Sequence, residues 1–442
     1  MRRKGLFRSP HPRRAASVAI LIAAAPTFLV AQTENILYRF QAGSDGSGPS
    51  SALVADQAGN LYGTTVYGGG TNCNFYGTLG CGTVFELSPP ATPGGAWTET
   101  VLYRFQGGNS DGAFPGQIVF DHDGNLYGVT GAGGAGPDCI VNTTGCGTVF
   151  KLAPSAAPGD PWAETVLYSF QSGNDGAIPA AITIGRGGHL YGVTTQAGSA
   201  GSGTVFKLTP PGSSGVWTKT ALHNFKGIPQ GQTIGDGATP ISLTFDGKGN
   251  LYGTTEWGGI YTGSPESGSS WGTVFELTPP SQPARKWNYI VLHRFAGYLQ
   301  NPVSGVVVNK SGAVYGTTYA GVYELIPGTA LPIHMFSTSN DGKAPYGGVI
   351  LDAAGNLYGV CLGGGQMAHG IVYRLQPPPR TGPPWAETIL YQFSGSPDGD
   401  APDAPLYLHN GILYGTTLRG GNQGCQLSGG EIGCGTVFSL VP

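Results

Sequence analysis

Seven copies of one strand sequence set most of what this chain can become. LYG begins at Leu61, Leu126, Leu190, Leu251, Leu357 and Leu413, and returns as VYG at Val314. A second signature follows each copy: GTVFEL at Gly82 and Gly272, GTVFKL at Gly147 and Gly203, GVYEL at Gly321, GIVYRL at Gly370 and GTVFSL at Gly435. A third is LYRF at Leu37 and Leu102, LYSF at Leu167, LHNF at Leu222, LHRF at Leu292, IHMF at Ile333 and LYQF at Leu390. Each unit holds four runs rich in Val, Ile, Thr, Tyr and Phe, bounded by Gly, Pro, Asn and Asp. That pattern predicts strands. No stretch beyond the N-terminal segment keeps a 3.6-residue apolar period, so no substantial helix is expected. Four strands per unit, seven units and a period near 60 residues predict an all-β, seven-bladed β-propeller with four-stranded antiparallel blades.

The phase of the repeat adds a closure. With the strands of a blade named A to D from the channel outward, the sequence starts with a lone D-type strand, Ile36 to Phe40, and ends on a C-type strand from Gly435. The N-terminal strand is therefore expected to complete the last blade and remove the free edges of an open array. The seven LYG glycines break a strand rule, since glycine weakens a strand. They are read as space that lets neighbouring blades pack.

The GxLYGTT…GTVF…WxETVLYxF pattern resembles the GloVer-type tandem repeat of exported bacterial proteins. The resemblance implies export and a repeat architecture, and no reaction. It also implies variable C-terminal anchors. This sequence stops at Pro442, just after its last repeat, which favours free secretion over surface attachment.

Residues 1–31 read as a signal peptide. MRRKGLFRSPHPRR carries six positive and no negative residues, and an apolar run broken by Pro26 follows it. Cleavage is expected after Ala31. Removal would take the formal net charge from −3 to about −9. A mildly acidic exported chain is a poor nucleic-acid binder. Residues 32–442 then form a single propeller, expected to be monomeric and without membrane insertion.

Cysteine spacing agrees with an oxidising compartment. Cys73 and Cys81, Cys139 and Cys146, and Cys425 and Cys434 each share one B–C loop, which favours three local disulfides. Cys361 is left over where other units carry Thr, and is expected as a buried free thiol.

Chemistry has fewer handles. HExxH and P-loop signatures are missing, and no GxSxG stands in a strand-to-helix context. The B–C loops are long in blades 1, 4 and 7 and carry aromatics: Tyr67, Phe75 and Tyr76 in blade 1, Trp257, Tyr261 and Trp271 in blade 4, and Tyr319 in blade 5. Long variable loops on a rigid scaffold suit ligand binding, here of an extracellular glycan or protein. The D–A loops of the same face carry a repeated Asp-Gly before a Pro, with Asp45, Asp111, Asp175, Asp236, Asp341 and Asp398. These aspartates cap turns, and they also define a ring of carboxylates around the channel mouth. Such a ring would suit Ca²⁺; no other cofactor is expected. The leading reading is a secreted binding module. The alternatives are a polymer-degrading hydrolase or lyase using those carboxylates, and a structural envelope protein.

Overall fold

The computed structural model describes Met1 and residues 34–442, apart from residues 76–77, 140–143, 156–160, 213–214, 262–269, 283–284, 298, 338–339, 380–383, 423 and 428–430. Seven antiparallel blade sheets follow one another; six run from their A strand to their D strand in chain order, and the seventh takes its D strand from the N-terminal segment. Blade 2 shows the plan, with strands Gly112–Phe120, Leu126–Gly133, Thr148–Ala153 and Ala163–Ser169. Among the described residues the helical segments are two single 3₁₀ turns, Gly173–Asp175 and Arg186–Gly188. None of the helices is long and apolar enough to cross a membrane. The expected signal peptide, apart from Met1, lies outside the described residues.

The closure is as the phase requires. Glu34–Arg39 pairs antiparallel with Thr436–Leu440 and completes blade 7. It even reproduces the bulge that each other blade has between its C and D strands. The register slips between Ile36 and Tyr38 here, as it slips at Val84/Phe85 in blade 1 and Val149/Phe150 in blade 2.

The LYG glycine makes its room inside the blade. Gly128 faces Phe150 across strands B and C, and a Cβ on it would stand 2.3 Å from Phe150 Cζ. Gly63 stands in the same relation to Phe85, at 2.5 Å. The space therefore serves the blade's own ring first, a correction to the reading of it as a gap between blades. That ring, lying flat over the glycine, then reaches the neighbouring blade. Phe40–Phe85, Phe105–Phe150, Phe170–Phe206, Phe225–Phe275, Phe295–Tyr323, Phe336–Tyr373 and Phe393–Phe438 all meet edge to face, with centroids 5.0–5.3 Å apart. Such pairs contribute roughly 0.5–1.5 kcal/mol each beyond the area they bury. A second interblade contact sits at the start of strand D. Trp162 packs on Tyr62, Trp217 on Tyr127 and Trp287 on Tyr191, each the Tyr of the preceding blade's LYG.

Threonines fasten strand B to strand C. Thr65–Thr83, Thr130–Thr148, Thr194–Thr204, Thr255–Thr273 and Thr417–Thr436 share hydroxyl hydrogen bonds of 2.8–2.9 Å. Blade 6 changes both partners at once, pairing Cys361 with Ile371. Cys361 is buried, unbridged, and pushed well up in pKa by burial and then by Glu387. The other six cysteines form the disulfides Cys73–Cys81, Cys139–Cys146 and Cys425–Cys434. Three disulfides fit an oxidising extracellular or periplasmic setting.

Candidate functional site at the channel mouth

The D–A aspartates do not surround the mouth. Each side chain turns back to the outermost strand of the preceding blade. Tyr38 donates to Asp45 Oδ1 at 3.0 Å and Gln41 N–H donates to Oδ2 at 2.5 Å. Tyr103 and Gln106 N–H hold Asp111, Tyr168 and Gln171 N–H hold Asp175, and His223 and Lys226 N–H hold Asp236. Ser337 N–H reaches Asp341, and Ser394 donates to Asp398 through both its N–H and its hydroxyl. The D–A loop begins at the outer rim, and the aspartate stands four residues before the proline that opens the inner strand. Its carboxylate is therefore spent on the seam between blades, which corrects the expectation of a carboxylate ring at the mouth. Among the described residues one group of three ligating side chains comes close, His334, Asp341 and Glu387, and it too lies at a seam.

The loop aromatics divide. Tyr76 lies outside the described residues, and Phe75 belongs to a short hairpin of Asn74–Phe75 with Thr78–Leu79. Tyr67 is half-buried, edge-on to Phe114. In blade 4 the described part of the expected loop is strand: Leu251–Tyr261 and Ser270–Thr278 pair on past the repeat, Ile260 with Trp271 and Tyr261 with Ser270. On that extension Trp271 is half-buried against the core around Val274, Phe295 and Leu299. Tyr261 lines an open groove of about 460 Å³ beside Lys226, Gln230 and Gln232. Trp257 and Tyr319 stand 38% and 49% exposed.

Sequence reasoning missed the residues that join these. Strand A is the innermost strand, and the residue after the proline at or near its start is Ser50, Gly116, Ala180, Ile241, Val303, Tyr346 and Asp403 in blades 1 to 7. The residue three places after the LYG glycine of strand B is Val66, Gly131, Thr195, Glu256, Tyr319, Leu362 and Leu418. Both series are small or apolar except on one side. There the Tyr319 and Tyr346 rings lie edge to face at 6.1 Å, and Tyr346 is 37% exposed. Burial raises the Tyr346 pKa first, and Tyr319 and Glu256 add to it. Tyr346 of blade 6 thus interacts with Glu256 of blade 4 as well as with Tyr319 of blade 5, a reach across an intervening blade that the convergence of blades toward the axis permits. Asn301 ties the group together: its amide donates to Glu256 O at 2.8 Å, and Tyr319 N–H donates to Asn301 O. Burial raises the Glu256 carboxyl, opposed by a hydrogen bond from Trp257.

Blades 6 and 7 add charge. His369 Nδ1 lies 3.0 Å from Asp400 Oδ1, and Arg419 Nε lies 3.2 Å from Asp400 Oδ2. Asp403 follows in the segment that leads into the inner strand Tyr407–His409. Burial raises its pKa to about 7, against the pull of its own N–H and Arg419. Its Oδ1 is shut from solvent with no hydrogen-bond partner. This side of the mouth therefore offers aromatic faces, a half-buried carboxyl at Glu256, and a second carboxyl at Asp403 that exchanges its proton near neutrality. A comparison of the repeats position by position, looking for exceptions, is the signal that finds it.

No curated protein shows significant sequence similarity to the chain. Solved structures do resemble it in fold. Virginiamycin B lyase from Staphylococcus aureus is 10% identical, with a TM-score of 0.50 over 93% of this chain and 99% of that one. A streptogramin B lyase is 12% identical, with a TM-score of 0.51 over 92% and 97%. At these identities the likeness extends to the propeller and no further. The repeats themselves, over residues 77–324 and so more than half of the sequence, match the Gloeobacter/Verrucomicrobia repeat, and the chain belongs to that family.

Proposed function

We propose that this propeller is an exported binding module whose ligand site is the mouth of the channel along blades 4 to 7, and that the ligand is polyhydroxylated, such as a glycan. One observation carries the reading: Glu256, Tyr319 and Tyr346, from three successive blades, act on one another beside exposed Trp257. Aromatic faces next to fixed polar groups suit sugar rings, which present apolar C–H faces and hydroxyl edges. Export is supported by the N-terminal basic and apolar segments and by the three disulfides. A glycan array followed by calorimetry on the best hit tests it. Tyr319→Ala and Tyr346→Ala are each expected to weaken binding about tenfold or more, in line with loss of a central aromatic anchor. Unchanged binding by both variants would end the proposal.

A second reading is acid–base chemistry on such a ligand. It is favoured by Asp403, whose carboxyl is raised to about 7 near the His369–Asp400–Arg419 group. A proton donor near the working pH is what general acid catalysis needs. Depolymerisation of a bound glycan that Asp403→Asn abolishes, with binding retained, would favour this reading over simple binding.

A further inference from the structure

The repeated aspartate has a partner across each seam, and the partner varies in a way that explains itself. It comes from strand D of the following blade, two residues after the tryptophan. At the seam between blades 2 and 3 the partner is Lys219, whose Nζ lies 2.9 Å from Asp175 Oδ1 and also donates to Asp175 O. Its ammonium stands over the Tyr168 and Phe170 rings. Between blades 3 and 4 it is Tyr289, which donates to Asp236 O and stacks on His223 at 3.6 Å. Between blades 4 and 5 the loop carries no such aspartate, and the partner position is Ala330. At the remaining four seams the partner is a second acid: Glu99 with Asp45, Glu164 with Asp111, Glu387 with Asp341, and Glu34 with Asp398.

Two carboxylates cannot both stay ionised at close range out of water. The hydrogen bonds decide which one keeps the charge. Asp45 and Asp111 accept from a tyrosine hydroxyl and from backbone N–H groups, which suits an anion. No tyrosine or backbone N–H donor is seen at Glu99, Glu164 or Glu387 among the described residues, and at Glu34 the one such donor is Tyr391. Oε1 of Glu34, Glu99, Glu164 and Glu387 is in every case buried with no hydrogen-bond partner. A carboxylic acid fits that environment; at two seams it is within hydrogen-bond reach of the aspartate, Glu99 of Asp45 and Glu34 of Asp398, and at a third Glu387 and Asp341 have oxygens within 4.8 Å of one another.

We propose that four of the seven blade seams are fastened by a carboxyl–carboxylate pair that shares one proton, so that the ring is tightest in acid and loosens as pH rises. The charges around each pair are few. Arg104 faces Asp45 and Glu99, and Tyr38 completes that seam. Arg39 and Tyr391 face Glu34 and Asp398. Tyr103 faces Asp111 and Glu164. His334, Cys361 and Tyr373 face Glu387 and Asp341, and burial lowers the His334 pKa. Burial first, and then the paired aspartate, raise Glu34 and Glu99 to about 8 and Glu164 and Glu387 to about 7. An unfolded glutamate titrates near 4.5. Below that value both states hold the proton and stability is level. Between about 4.5 and 7–8 only the folded state holds it, so stability falls with rising pH. Above that range it levels again.

Lys219 supplies the test variant, because the fold already accepts lysine at this position. Thermal unfolding of the wild type, Glu99→Lys and the double variant Glu99→Lys/Glu164→Lys is followed from pH 5 to 9, with and without EDTA or added CaCl₂. The wild-type midpoint is expected to fall by several degrees between pH 5 and 8. Each lysine should flatten part of that fall and raise the midpoint at pH 8. Should a lysine variant fail to fold, Glu99→Gln, which keeps a donor and removes the second acid, must show the same flattening. A level wild-type profile, or variants that follow the wild-type slope, would overturn the proposal. So would a wild-type midpoint at pH 8 that calcium raises and EDTA lowers, because a cation would then hold the pair in place of a proton.

Discussion

The two sides of the channel mouth are built from the same repeat and differ in what they present. Along blades 1 to 3 the lining positions read Ser50, Gly116 and Ala180, with Val66, Gly131 and Thr195 beside them. Along blades 4 to 7 the same positions carry Glu256, Tyr319, Tyr346 and Asp403, with Ile241, Val303, Leu362 and Leu418 beside them. The packing residues do not differ in this way: the glycine of LYG and the aromatic ring opposite it are present in all seven blades. The repeat keeps what closes the ring and departs from itself where the surface has chemistry to offer.

Substitutions can break that comparison. The largest effect should come from a seam ring. Phe150→Ala removes a fully buried side chain and is expected to cost about 3–5 kcal/mol, read by urea unfolding. A loss of binding with intact stability would mean that the repeated positions are themselves functional. Next is Gly128→Ala, whose added Cβ would stand 2.3 Å from Phe150 Cζ. Overpacking of this kind costs about 1–3 kcal/mol, and a neutral result would show that the ring is free to move. Tyr346→Gly copies the residue that blade 2 has at Gly116. It should change stability by less than about 0.5 kcal/mol, as an exposed position does, while removing ligand affinity; an unfolded product would place Tyr346 among the packing residues. Asp403→Asn acts on the pH dependence and not on one stability value. Because the folded carboxyl is raised to about 7 from an ordinary 3.8, its contribution to stability falls as pH rises between those values. The variant should flatten that part of the melting profile and leave the rest of the curve in place.

The fold was legible because it is written seven times. Even the closing strand could be placed from phase alone, since Ile36 to Phe40 has the sequence of a D strand and no blade in front of it. The site was less legible for two physical reasons. A turn sequence such as SDGAFP fixes the backbone, but it does not say whether Asp111 reaches toward the axis or back to Tyr103, and hydrogen bonding chose Tyr103. An aromatic in a long loop does not announce what it covers: Trp271 is drawn into the core around Phe295, whereas Tyr319, on the shortest connection, is left in the open. Tyr346 and Asp403 sit inside the strand-opening motif, where they pass as ordinary members of the repeat until all seven copies are set side by side.

The pairing of Glu34–Arg39 with Thr436–Leu440 also orders events in time. The first of these segments leaves the ribosome some four hundred residues before the second. Throughout synthesis, and throughout any passage across a membrane as an unfolded thread, it has no mate, and blade 7 stands one strand short. Whatever keeps that early segment from joining the wrong edge in the interval governs the yield of finished rings.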